Sequence, residues 1–160
     1  MNDSNTIASQ VQVVVFRLDD QRYAAPMALV ERVIPAVEVT PVPGAPDAVR
    51  GVIDIAGRMT PVFCLRRKFG MADRAPRPAD QFILVKMARE RVAAIMIDEV
   101  EGVFDCPQGA LCDADAITPA LESFAGLARL EDGLVLIHDP QRFLSPDQER
   151  ALDAAMGAAA

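Results

Sequence analysis

A single histidine, three cysteines and the lack of any long apolar run set the first limits on this 160-residue chain. Nucleophilic catalysis with a histidine base has only His138 to draw on, and no serine or cysteine near it lies in a nucleophile-elbow or comparable motif. Cys64, Cys106 and Cys112 are odd in number and lack CxxC spacing. Even if Cys106, Cys112 and His138 converged, they would be one ligand short of a structural zinc site, so neither metal nor cofactor is expected. The cysteines read instead as small apolar residues in a reducing compartment. No GxGxxG or Walker A sequence offers a nucleotide cradle. The longest unbroken aliphatic run, Val92 to Ile97, is far short of the roughly 20 residues needed to cross a bilayer. Met1 to Gln10 is polar and carries no basic region followed by an apolar stretch, so no export signal is read and a cytoplasmic location is expected.

Composition places the chain among globular proteins: 51% hydrophobic and 24% charged residues suit one domain, or two small subdomains sharing a core. With 16 Lys and Arg against 23 Asp and Glu, the net charge of −7 argues against a phosphate backbone as the main partner. The charge is uneven. Residues up to Ile97 sum to +3, and those from Asp98 onward to −10, so the two halves meet different surroundings or each other. Acidic pairs at Asp19 and Asp20, Asp98 and Glu99, and Asp113 and Asp115 fall at turns or strand ends, where solvated acids are the default. Arg66-Arg67-Lys68 lacks interleaved aromatics and reads as a solvated turn.

The dominant texture is short runs rich in Val and Ile, separated by Gly, Pro and Asp, which predicts β-strands joined by turns. Val11 to Leu18, the turn Asp19 to Arg22 and the strand from Tyr23, ended or held at an edge by Pro26, form a hairpin. Ala28 to Ile34 is open between a helical turn and a strand. Pro35, Pro41, Pro43 and Pro46 then impose a rigid extended loop. Val52 to Ile55 and Met59 to Leu65 pair around Ala56-Gly57-Arg58, with Pro61 implying an edge position or a bulge. Met71 to Asp80, charged and proline-bearing, reads as the divide between two strand clusters. Beyond it lie Gln81 to Met87 and Val92 to Ile97 around the turn Ala88 to Arg91, then Val100 to Phe104 continuing the sheet. Ala125 to Leu130 and Leu134 to Ile137 bracket an Asp132-Gly133 hairpin signal. Pro107 to Leu121 is read as loop or weak helical turn. Ser145-Pro146-Asp147-Gln148 is a capping box that opens a terminal helix through about Ala155, with residues 157–160 frayed.

A short internal echo supports two similar subdomains: VFCL-RRKF at Val62 to Phe69 and LIHD-PQRF at Leu136 to Phe143. Each would be a small, strongly curved sheet closing into a barrel. The run VRGVIDIAGRMTPVFCL from Val49 to Leu65, with Gly51 and Gly57 permitting tight turns or close backbone approach, has the texture of an interaction module.

At this run the sequence resembles the CheW family, adaptors of bacterial chemosensory arrays, whose pattern is roughly apolar-[KR]-G-V-x-[ND]-L-R-G-x-x-x-P-V-x-D-L. The resemblance extends to VVVFRLDDQRYAAPMALVERVI at the opening hairpin, VAAIMIDEVEGVF in the middle and GLARLEDGLVLIHDPQRFLSPDQERAL at the close, about 140 residues in order. It implies an all-β fold of two intertwined five-stranded SH3-like β-barrels with a groove between them and a short C-terminal α-helix. A single domain over residues 11–156 would carry its internal boundary near 71–80, after a flexible N-terminus over 1–10. It also implies a non-enzymatic adaptor that joins the cytoplasmic tip of a chemoreceptor to the regulatory domain of a CheA-type histidine kinase, recruited to membrane-associated arrays without inserting and without binding nucleic acid.

Two departures stand out. The family usually carries glutamate at the position of Arg32 and arginine at that of Ala56, a pair able to form a salt bridge, and aspartate at the position of Cys64. Losing both partners is nearly neutral for folding but alters recognition. The resemblance places Val30, Arg32, Gly51, Val52, Ala56 and Val103 at partner contacts, with barrel core as the competing role of the three valines. Gly51→Asp is expected to remove receptor binding and to leave the melt broadly unchanged. A diverged system with another output, such as surface motility or a second messenger, fits the departures. The alternatives are a decoy that holds the kinase without receptor coupling and, more distantly, a small cytoplasmic enzyme with an unrecognised site.

Overall fold

The structure, a computed structural model, describes residues 10–87, 91–107, 111–113, 124–130 and 133–159. The expectations for residues 1–9, for most of the Pro107–Leu121 stretch and for the tips of the turns at 88–90 and 131–132 fall outside the described residues. Among the described residues, eleven strands and two α-helices follow one another as β1 (Gln10–Leu18), β2 (Gln21–Pro26), β3 (Val30–Pro35), β4 (Val49–Ile55), β5 (Arg58–Cys64), α1 (Leu65–Lys68), β6 (Gln81–Lys86), β7 (Val92–Ile97), β8 (Glu99–Pro107), β9 (Leu111–Asp113), β10 (Phe124–Leu130), β11 (Gly133–His138) and α2 (Pro146–Ala159). They form two units: residues 1–30 with 99–143, and residues 31–98 with 144–160.

The first unit is a six-stranded sheet in the order β8-β1-β2-β11-β10-β9. β1 and β2 turn through Asp19 and Asp20, since Leu18 pairs with Gln21, and Asp19 takes a positive φ of 55°. β2 ends at Pro26 as its missing N–H requires. The core is the inward face of these strands, with Val13, Val15, Ala24, Cys106, Val135 and Ile137 buried and Phe104 and Leu130 packed against them.

The second unit is a five-stranded sheet in the order β3-β6-β7-β5-β4. Its core is Ile53, Val62, Phe82, Leu84, Ala94 and Met96. β3 and β4 are the two ends of this order, and the chain leaving β3 returns to the outer edge of β4. There Thr40 and Val52 exchange N–H···O bonds at 2.9 Å in both directions, so the sheet curls towards itself. The ambiguous segment Ala28 to Ile34 contains both forms: a 3-10 turn over Met27–Leu29, then β3.

The two sheets repeat one plan. In each, an antiparallel hairpin (β1-β2, β6-β7) pairs in parallel with the second strand of another hairpin (β4-β5, β10-β11), through β2-β11 and β7-β5. One further strand in each crosses over, β3 following β2 into the second unit and β8 following β7 into the first, and β9 adds a sixth strand beside β10 in the first sheet. The VFCL and LIHD echoes lie at the ends of β5 and β11, each followed by a short helical turn, α1 and Pro140–Arg142.

Three expectations change. Residues 71–80 do not divide the units. They lie inside the second, and the chain crosses after Val30, Asp98 and Phe143, which also means that β8 leaves the sheet of β7. Pro61 is interior to the order of the second sheet, because β5 sits between β4 and β7. Its missing N–H is tolerated because it pairs with Val52, whose own N–H points away from β5 to Thr40, and because the parallel ladder with β7 starts only at Val62. Finally, α2 runs through Ala159, past Gly157, in keeping with the helix preference of the alanines around it. Its start is the expected capping box: the Gln148 N–H donates to Ser145 Oγ (3.2 Å) and the Ser145 N–H to Gln148 Oε1 (3.0 Å).

The charge asymmetry is also present between the units, less sharply than between the halves. The first holds 12 acidic and 4 basic residues, net −8, and the second 11 acidic and 12 basic, net +1.

Candidate functional site

The β4-β5 hairpin is the centre of the candidate site in the second unit. Its turn is Ala56-Gly57, both at positive φ (51° and 84°), as a two-residue type I′ hairpin demands. The Gly57 N–H donates to Asp54 Oδ1 at 2.7 Å and closes the turn. Beyond it, Arg58 reaches Glu31 of β3 at 3.6 Å, with both side chains substantially exposed. Of the sequence-predicted residues in this unit, Arg32 and Ala56 are exposed, whereas Gly51 and Val52 are buried. Gly51 is buried for a reason internal to the chain: a β-carbon there would stand 2.2 Å from the Thr40 carbonyl oxygen and 2.9 Å from a Val39 methyl. The Arg32 and Ala56 positions carry no ion pair with each other, and Glu31 and Arg58 supply one between the same strands, β3 and the hairpin.

Behind the hairpin lies a dense arginine–aspartate network that sequence reading missed. Arg66 donates two bonds to the Asp98 carboxylate (2.8 and 2.9 Å), and Arg74 donates two to Asp80 (2.8 and 2.9 Å) and another to Asp98. Asp80 also accepts from the Arg77 N–H at 2.7 Å, and Arg77 Nη2 stands 3.6 Å from Asp98. Arg50 and Arg67 converge on Asp73. Arg66 and Asp80 are buried, so Arg66-Arg67-Lys68 is not a solvated turn and Asp98 is not a solvated acid. The network staples residues 66–80 onto the sheet, which is why this proline-bearing segment is not a linker.

The electrostatics follow. Burial raises the carboxyl of Asp80, but the hydrogen bond from Arg74, the Arg77 N–H and the nearby guanidiniums outweigh it and hold the group below its ordinary value. Asp73 is likewise raised by burial and lowered further by Arg67, the Arg74 N–H and Arg50, ending below its usual range. Cys64, at the position where the resemblance expects aspartate, is buried with its sulfur 3.8 Å from Asp73 Oδ1 and 3.8 Å from Arg50 Nη2. Asp73 thus supplies the carboxylate that Cys64 lacks.

In the first unit, Val30 is half-buried at the chain crossing and Val103 is half-exposed on β8. The strand around Val103 alternates outward Glu99, Glu101, Val103 and Asp105 with inward Cys106. Glu101 is clamped by Arg22 (2.8 Å) and by Arg17 (3.8 Å), while Arg22 also lies 5.8 Å from the Phe104 ring centroid. His138, the chain's single histidine, is buried and meets Phe143 edge-on at 5.7 Å. Burial raises the Cys106 thiol, which suits an apolar core position. Among the described residues, no group of three or more His, Cys, Asp or Glu side chains is placed to hold a metal ion, and no helix is long and apolar enough to cross a membrane.

Comparison with known proteins fits this architecture. Residues 12–148 match the family description of the CheW-like domain. The chain is 24% identical over 144 residues to a chemotaxis protein CheW of Klebsiella aerogenes, spanning 89% of this chain and 86% of that protein. It is 25% identical over 141 residues to the chemotaxis protein CheW of Helicobacter pylori, spanning 86% and 83%. Among solved structures, the scaffolding protein TtCheW of Thermoanaerobacter tengcongensis superposes with a TM-score of 0.78 at 22% identity, covering 86% of this chain and 94% of that one.

Proposed function

The chain belongs to the CheW-like domain family, and from that premise we propose that it is a non-enzymatic adaptor coupling the cytoplasmic tip of a chemoreceptor to the regulatory domain of a CheA-type histidine kinase. The match over residues 12–148 carries this reading, because it takes in both units and every crossing between them. An adaptor needs two recognition surfaces and no reacting group. Val30, Arg32, Ala56 and Val103 offer side-chain surface to partners. Gly51 and Val52 serve the surface of the second unit through the backbone, holding the β4-β5 hairpin against Thr40. On this reading the protein works in the cytoplasm, drawn to membrane-associated receptor arrays by its partners, with no cofactor of its own.

The exchange of charge at Arg32 and Ala56 favours a diverged system with a receptor tip of different charge pattern, and an output such as surface motility or second-messenger control. The same exchange favours the second reading, a decoy that occupies the kinase without passing on receptor state. A pull-down from the native cytoplasm with mass spectrometry separates them. Recovery of both a kinase and a receptor supports the adaptor, kinase without receptor supports the decoy, and neither contradicts both.

A further inference from the structure

We propose that the cleft between β5, β7 and α2 in the second unit is a docking pocket for a partner polypeptide segment that presents a large apolar side chain next to a carboxylate. This surface contains none of the six positions carried over from the family resemblance, and the proposal goes beyond the adaptor reading.

The cleft has a volume of about 290 Å³. That is at the lower edge of the roughly 300–1,000 Å³ of small-molecule sites and is room enough for one large side chain. Its depth is apolar: Pro61 is buried and Val92 half-buried. Two methionines, Met59 and Met156, line it further out, and Met59 is 49% exposed. Thioethers on flexible stems adapt to varied apolar and aromatic shapes. An exposed methionine beside a buried floor is surface that a partner can cover at a gain.

Charge selects the neighbour of that side chain. Arg58 and Arg91 both line the cleft against one acid, Asp153. Asp153 is committed to Arg91, an ion pair that ties the start of β7 to α2. Among the described residues Arg58 pairs only with Glu31, which lies outside the cleft, at 3.6 Å and in solvent, 51% and 38% exposed. Such a pair is weak and exchangeable. A carboxylate arriving beside an inserted apolar group replaces Glu31 on Arg58 while Arg91 and Asp153 remain closed.

The test uses the full chain with its methionine methyls labelled with carbon-13 and followed by NMR. The probe is the dipeptide acetyl-Phe-Glu-amide, with acetyl-Phe-Gln-amide as its uncharged isostere. Saturable shifts at Met59 and Met156 in the millimolar range are expected, with the glutamine peptide about threefold weaker, as an exposed charge contact implies. Arg58→Gln should abolish that difference while keeping the aromatic contact and the native spectrum, and Met156→Trp, which fills the cleft, should abolish the shifts. Absence of shifts at both methyls overturns the pocket. Equal shifts for the two peptides overturn its preference for a carboxylate.

Discussion

Gly51 and Thr40 meet backbone to backbone: a β-carbon on Gly51 would stand 2.2 Å from the Thr40 carbonyl oxygen, which already accepts the Val52 N–H. Any side chain at 51 must push the Thr40 segment off the edge of β4 and break the reciprocal bonds that curl the sheet. Gly51→Ala should therefore cost about 2–3 kcal/mol, the upper part of the overpacking range. Urea unfolding should show a lower midpoint with an unchanged slope. This reverses the expectation from sequence that Gly51→Asp leaves the melt unchanged. A melt within experimental error of the parent would show that Thr40 yields freely.

Ala56 is the complementary case, a side chain where the backbone prefers none. It occupies the left-handed region at φ 51° ahead of Gly57, and non-glycine residues there are disfavoured by roughly 1–2 kcal/mol. Asparagine tolerates that conformation and Asn-Gly is the favoured type I′ pair. Ala56→Asn should raise stability by about 1 kcal/mol in urea unfolding. A loss of stability would mean the turn is not held in this form.

Asp98 separates buried from exposed ion pairs within one chain. Its side chain is 11% exposed and accepts from one Arg66 nitrogen through both carboxylate oxygens, and from Arg74. Asp98→Ala takes this carboxylate from the buried Arg66, while Arg74 keeps Asp80, and should cost about 3–5 kcal/mol. Arg17→Ala, which removes exposed pairs to Glu99 and Glu101, should cost no more than about 1 kcal/mol. Similar losses for the two variants would show that the network is water-penetrated.

Acid should unfold the second unit through the same network. Asp73 and Asp80 are held below their ordinary values, so their contribution is fully present above the unfolded carboxylate value of about 3.9 and is lost as pH falls through their folded values. Unfolding free energy should be flat with respect to these groups at neutral pH and should drop below about pH 4. Asp80→Asn should lower stability at neutral pH and make that acid decline shallower. An unchanged acid slope in the variant would contradict the assignment.

How far the sequence revealed this molecule depended on the range over which each feature acts. The first hairpin, with its turn two residues tighter than the Asp19–Arg22 reading, the Pro26 stop and the Ser145–Gln148 box were legible because each is decided within a few residues of chain. The echo at Val62 and Leu136 was legible too, and corresponds to the repeated strand plan. Residues 71–80 were misread because the local contacts of Arg74 and Arg77 with Asp80 are locked to the sheet only by partners far along the chain, Asp98 for Arg74 and Arg50 for Asp73, 24 and 23 residues away. Pro61 misled for the same reason, since its tolerance depends on where the β5-β7 ladder begins. The cleft beside Met59 combines β5, β7 and α2, and no local pattern announces it.

The central claim is tested most directly by titrating the purified chain, in one calorimetric series, against the regulatory domain of its cognate kinase and against the cytoplasmic tip of its receptor. The adaptor account predicts saturable binding to each and undiminished binding to one when the other is already bound. Failure to bind either protein, or competition between the two for this chain, would contradict it.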